Sequence, residues 1–186
     1  MKLTLPTLFT LFRILLIPVF VVVFYWNTPW SHLAAAVIYA LASITDWFDG
    51  WLARMLKQES AFGAFLDPVA DKLMVTVAIV VLVEAHPSLL MTLPSLIIIS
   101  REITVSALRE WMAELGNRAA VNVSFIGKAK TTAQMFSLFL MLWEQPLWGL
   151  PVFEIGLLLF YISALLTLYS MLIYLKAAWP VMLENG

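Results

Sequence analysis

Apolar residues in this chain come in long blocks, not in the alternation of a half-buried strand. Each block is near the roughly 20 residues that a membrane-spanning helix needs. The pattern predicts six helices: about Thr7 to Tyr25, Ser31 to Arg54, Ala61 to Ala85, Leu89 to Leu108, Lys130 to Trp143 and Val152 to Lys176. The fifth is short unless Ile126 and its neighbours join it, and Pro18 predicts a kink in the first. Arg13 interrupts the first block, which therefore reads as a retained helix and not as a cleaved signal. The expected fold is all-α: a polytopic membrane protein with six transmembrane helices, residues 1–186 forming a single membrane domain.

Composition sharpens this picture. The chain is 62% hydrophobic and 12% charged, against roughly 45–50% and 25% in soluble domains. It has no cysteine, which excludes disulfides and thiolate metal sites. The net charge of -1 says nothing by itself about nucleic acid or acidic lipid, and no nucleic-acid partner is expected. No glycine-rich nucleotide fingerprint is present.

The placement of charge says more than its sum. The breaks Asn27 to Trp30, His86-Pro87-Ser88 and Glu144 to Pro151 contain no lysine or arginine. Lys2, Arg54, Lys57, Arg109, Arg118, Lys128, Lys130 and Lys176 all fall on the other side. The positive-inside rule then puts both termini in the cytoplasm, as an even number of spans requires. Trp26, Trp30, Trp143 and Trp148 cluster on the far side, where an aromatic belt is expected. His32, His86, Glu84, Glu144 and Glu154 also lie there, the histidines as interfacial groups and the glutamates as solvated charge.

Four carboxylates break the apolar pattern within the membrane: Asp46 and Asp49 in the second block, Asp67 and Asp71 in the third. Each costs about 2.5–3.5 kcal/mol at bilayer depth. Asp46 lies about 12 Å from Arg54 along a helix, and Asp67 and Asp71 about 9 to 15 Å into theirs, so the two pairs reach similar depth. Spacings of three and four residues put each pair on one helix face. Gly50 and Gly63 leave room for close approach, and Pro68 either opens or bends its helix. Oxygen ligands in this number suit divalent cations, and paired metals clamp phosphoryl oxygens. Salt bridges to Arg13, Arg54, Lys72 and Arg101, or a proton or cation pathway, remain open on spacing alone.

The string from Asp46 to Asp71 satisfies D-x2-D-G-x2-A-R-x8-G-x3-D-x3-D at every fixed position. In this it resembles the CDP-alcohol phosphotransferase family. The resemblance implies a six-helix membrane enzyme that displaces CMP from a CDP-linked alcohol by an acceptor hydroxyl. It implies that Asp46, Asp49 and Asp67 ligate metal, Mg²⁺ or Mn²⁺ as two ions. Asp71 would be the catalytic general base and a further ligand. Gly50, Ala53, Arg54 and Gly63 would line the site for the CDP-lipid.

The cytoplasmic cations address the acceptor. Arginine forks and lysine point charges suit phosphate oxygens, and Arg101, about 12 Å up its helix, is too deep for a topology signal. The stretches Arg101 to Glu114, Gly127 to Gln134 and Pro6 to Arg13 resemble the bacterial subgroup of that family that makes phosphatidylglycerophosphate, with Thr7 where many members carry asparagine. The resemblance implies that Arg109, Arg118, Lys128 and Lys130 hold the acceptor phosphate, with Arg101, Thr10 and Arg13 in the same polar cavity. The expected substrates are CDP-diacylglycerol and sn-glycerol 3-phosphate. The expected setting is the bacterial inner membrane, multi-pass, amid membrane lipid, with the active site facing the cytoplasm and a homodimer as the assembly. A sister enzyme using phosphatidylglycerol, inositol phosphate or serine, and a cation or proton transporter, are the rival readings; no internal repeat favours the transporter.

Overall fold

The computed structural model describes residues 5–56, 61–116 and 125–185, with backbone alone at positions 5, 6, 47–54, 56, 61, 64, 125–129, 184 and 185. Lys57 and Arg118 lie outside the described residues, as do the side chains of Asp49, Gly50, Ala53, Arg54 and Lys128. The described residues form six helices: α1 Leu5–Phe24, α2 Ser31–Leu56, α3 Ala61–Ala85, α4 Leu89–Glu114, α5 Phe125–Trp143 and α6 Val152–Asn185. No strand occurs among them beyond an isolated bridge between Leu147 and Leu150. Helix is the element that satisfies every backbone N–H and C=O within one apolar segment.

Most boundaries fall where the pattern puts them, and three differ for physical reasons. α4 continues past Leu108 to Glu114, and α6 past Lys176 to Asn185. Apolarity falls there, but the two helices go on packing together through Val105, Leu108, Met112, Tyr174 and Ala178. α5 begins at Phe125, so Ile126 and its neighbours do join it. Pro18 and Pro68 each sit inside a continuous helix.

Among the described residues, three helical stretches are long and apolar enough to cross a membrane: Thr7–Phe24, Leu89–Glu114 and Val152–Leu183. A shorter apolar helical segment spans Ser31–Asp46. Charged residues cluster at one end of α2, α3 and α5: Asp46 to Arg54, Asp67 to Lys72, and Lys128 with Lys130.

The main core joins α1, α2, α3 and α5 to the first halves of α4 and α6 through Phe20, Tyr39, Ile79, Ile98, Leu138 and Phe160. α5 and α6 make the closest pair. A Cβ on Gly156 of α6 would stand 2.8 Å from Met141 Cγ and 3.1 Å from the Met141 backbone nitrogen. The buried Ser137 hydroxyl donates to the Gly156 carbonyl at 2.8 Å across the same seam.

The end of the bundle that carries the short breaks is tied by polar groups. Ser88 caps α4, its side chain accepting from the Met91 N–H at 3.3 Å. Glu144 follows α5 with φ of 59°, in the left-handed region that glycine favours. Its carboxylate stands 3.1 Å from His32 Nδ1 and 3.3 Å from His86 Nε2. Glu144 is therefore not simply solvated charge: it links the start of α2, the α3–α4 break and the end of α5. Glu84 likewise accepts from the Tyr25 hydroxyl at 2.9 Å.

Candidate active site

At the other end, α1 turns a polar face inward. Thr7, Thr10 and Arg13, three residues apart, are all buried. The Thr10 hydroxyl donates to Asp67 Oδ1 on α3, and the Arg13 guanidinium pairs with Asp46 Oδ1 on α2. One helix face thus holds one carboxylate from each of the two aspartate-bearing helices. Of the salt bridges open at the sequence level, Arg13–Asp46 forms. Lys72 instead donates to Ser106 and Arg101 pairs with Glu102.

Asp71, one turn beyond Asp67 on α3, opens into a cavity of about 470 Å³ between α3, α4, α5 and α6. It lies within electrostatic reach of Asp46, Arg13, Glu102 and Lys72. The opposite wall carries Arg101, Glu102, Ser106 and Arg109 from α4, with Thr131 and Gln134 from α5 and Tyr174 from α6. A carboxylate therefore faces a cationic wall inside an otherwise apolar bundle.

The cationic wall is a network. Arg101 is buried; its Nη1 donates to Glu102 at 2.9 Å and its Nη2 to Ser170 of α6 at 3.1 Å. Lys130, also buried, donates to the same Glu102 oxygen at 2.6 Å. Arg109 Nη2 donates to the Tyr174 hydroxyl at 3.1 Å. Arg101 Nε and Arg109 Nε are buried without a hydrogen-bond acceptor. Such donors are costly to leave unpaired and mark where an anionic oxygen would be welcome.

The expected site residues thus fall into two adjoining groups. Asp46, Asp67, Thr10 and Arg13 meet at the junction of α1, α2 and α3. Asp71, Arg101 and Arg109 line the cavity, with Lys130 held behind Glu102. Thr10 and Arg13, expected beside the acceptor phosphate, stand at the aspartates, and the buried Gly63 lies on the Asp67 side of α3. Glu102, Ser170 and Tyr174 enter the site without having been singled out. Only the depth of Arg101 hinted that it would need an acceptor and a polar neighbour on another helix.

The donor set suits a hard divalent cation: carboxylate oxygens from two helices, with no thiolate in the chain. Among the described residues, no three acidic or histidine side chains come together closely enough to hold an ion. The fourth aspartate, Asp49, lies on the same helix as Asp46, with its side chain outside the described residues.

An apolar helical bundle with a carboxylate and a basic network around one cavity defines a membrane protein with a charged internal site. The family model for CDP-alcohol phosphatidyltransferase matches residues 3–177, and the chain belongs to that family. It is 54% identical, over the full length of both chains, to proteins named CDP-diacylglycerol–glycerol-3-phosphate 3-phosphatidyltransferase from Shigella flexneri serotype 5b, Shigella boydii serotype 4 and Escherichia coli K12.

Proposed function

We propose that the chain transfers the phosphatidyl group of CDP-diacylglycerol to sn-glycerol 3-phosphate, releasing CMP and forming phosphatidylglycerophosphate. Full-length identity of 54% to relatives carrying the name of this reaction is the observation that carries the reading. The cavity supports it, because it holds a carboxylate and a phosphate-seeking wall within one space.

Asp71 accepts the proton of the attacking glycerol hydroxyl. That oxygen forms a bond to the phosphatidyl phosphorus as the bond to the CMP oxygen breaks. Arg101 and Arg109 hold the phosphate already on the acceptor, using guanidinium donors, and Arg118, Lys128 and Lys130 add positive charge. Thr10 and Arg13 fix the aspartates. Gly50, Ala53, Arg54 and Gly63 line the place of the CDP-lipid. The family generally uses divalent metal ions. Mg²⁺ or Mn²⁺, as two ions held by Asp46, Asp49, Asp67 and Asp71, would neutralise the diphosphate and the departing CMP phosphate.

Residues 1–186 form one membrane domain that works as a homodimer in the bacterial inner membrane, amid membrane lipid. All six helices span, both termini are cytoplasmic, and the cavity faces the cytoplasm. The charged ends of α2, α3 and α5 cross because their polar groups face one another inside the bundle.

The test is CMP release by purified protein with CDP-diacylglycerol and Mg²⁺. Glycerol 3-phosphate, phosphatidylglycerol, inositol phosphate and serine are compared as acceptors, each with and without EDTA. Release is expected with glycerol 3-phosphate alone, and EDTA is expected to abolish it. Release with another acceptor overturns the acceptor reading, and release in EDTA overturns the metal.

A further inference from the structure

Two guanidinium groups share one aromatic ring in the cavity wall. The Tyr174 ring centroid lies 5.6 Å from Arg101 Cζ and 5.2 Å from Arg109 Cζ. The Tyr174 hydroxyl also accepts from Arg109 Nη2 at 3.1 Å. Like charges set this near each other repel, and an aromatic face offsets part of that repulsion by attracting each cation. Both Nε donors are buried without a protein acceptor. Glu102 neutralises Arg101 only from its Nη1 side, and Ser170 takes its Nη2. Guanidinium groups normally bind a phosphate by two parallel N–H groups, and the Nε edge offers one such pair.

Building on the reading above, we propose that Tyr174 is a positioning residue for the acceptor: it holds Arg101 and Arg109 as a two-guanidinium clamp on the phosphate. It touches neither the reacting hydroxyl nor the metal aspartates. Its effect is confined to how well a phosphate-bearing acceptor is held, because its two partners are the arginines of the cavity wall. The residue comes from α6, far in sequence from the aspartate motif, and its ring is buried in the α4–α6 seam.

Burial makes a purely structural role the rival, and the choice of variant separates the two. Tyr174→Phe keeps the ring in the seam and removes only the hydroxyl. It is expected to raise KM for glycerol 3-phosphate roughly threefold to tenfold, with kcat, KM for CDP-diacylglycerol and Tm near those of the parent. Tyr174→Leu removes the ring as well and is expected to raise the same KM by more than about tenfold. In an Arg109→Lys background, Tyr174→Phe is expected to add little, since the bond it removes ends on Arg109. An unchanged KM for glycerol 3-phosphate in Tyr174→Phe overturns the clamp. So does a rise in both KM values together with a fall in Tm, or full additivity with Arg109→Lys. Parent protein that releases no CMP with glycerol 3-phosphate brings down the acceptor reading itself, whatever the variants do.

Discussion

A carboxylate in an apolar bundle keeps its charge only where donors or cations share it, and removing one partner of a buried pair costs more than the pair contributes. Arg13 and Thr10 meet this need for Asp46 and Asp67. Asp71 differs: it lines an open cavity, near enough to Lys72 and Arg13 to feel their charge and accessible to an incoming hydroxyl. Asp71→Asn keeps the shape and the packing while removing the proton acceptor. Turnover measured as CMP release is expected to fall by about 10²–10⁴, with Tm retained. Near-normal turnover in that variant would remove Asp71 as the general base. Asp46, Asp67 and Asp71, which the structure places at adjoining positions, stood out in the sequence because charge at membrane depth is conspicuous. Glu102, though charged at depth, gave no sign that Lys130 of α5 would be its partner. Ser170 and Tyr174 were not legible, because their importance depends on which side of α6 meets α4, and no local pattern in an apolar run states that. The link from Glu144 to His32 and His86 was hidden likewise, since it joins the start of α2 to two breaks far apart in the chain.

Among the elements, α5 and α6 set how closely the bundle can pack. Gly156 is needed there for space, not for an unusual backbone angle. An added methyl would meet the Met141 side chain at 2.8 Å, which can shift, and the Met141 backbone nitrogen at 3.1 Å, which cannot shift without moving α5. Gly156→Ala is therefore expected to destabilise the protein by about 1–3 kcal/mol, the usual cost of overpacking, despite the better helix propensity of alanine. A thermal melt in detergent measures it, and an unchanged or raised Tm would mean that the seam is looser than 3 Å contacts require. Helix existence could be read from apolar length, and Ala61–Ala85 was legible to the residue. The ends of α4 and α6 were not, because past Leu108 and Lys176 the apolar run gives out while the two helices continue. There the seam of Leu108, Met112, Tyr174 and Ala178 takes over from lipid as the apolar partner.

For the whole molecule, the two ends of the bundle are chemically unlike. One end holds the cationic wall and the aspartates; the other holds histidines, glutamates and exposed tryptophans, with Trp148 93% exposed. Lysine and arginine are retained on the cytoplasmic side of a membrane, so the charge asymmetry predicts a cavity that faces the cytoplasm, the side from which a water-soluble acceptor would enter. α6 carries this asymmetry from end to end: its 34 residues reach about 51 Å, longer than the roughly 30 Å hydrocarbon core. Its last turns are then expected to extend beyond the hydrocarbon layer. The chain has no cysteine of its own, so single replacements report cleanly. In spheroplasts, a membrane-impermeant maleimide is expected to label Trp148→Cys at once and Leu183→Cys, at a 70% exposed position of α6, only after lysis. The reverse pattern would invert the protein and put the cavity on the side that lacks its substrates. Labelling of both sites before lysis would place the two ends of α6 on one side of the membrane, and six spans could not stand.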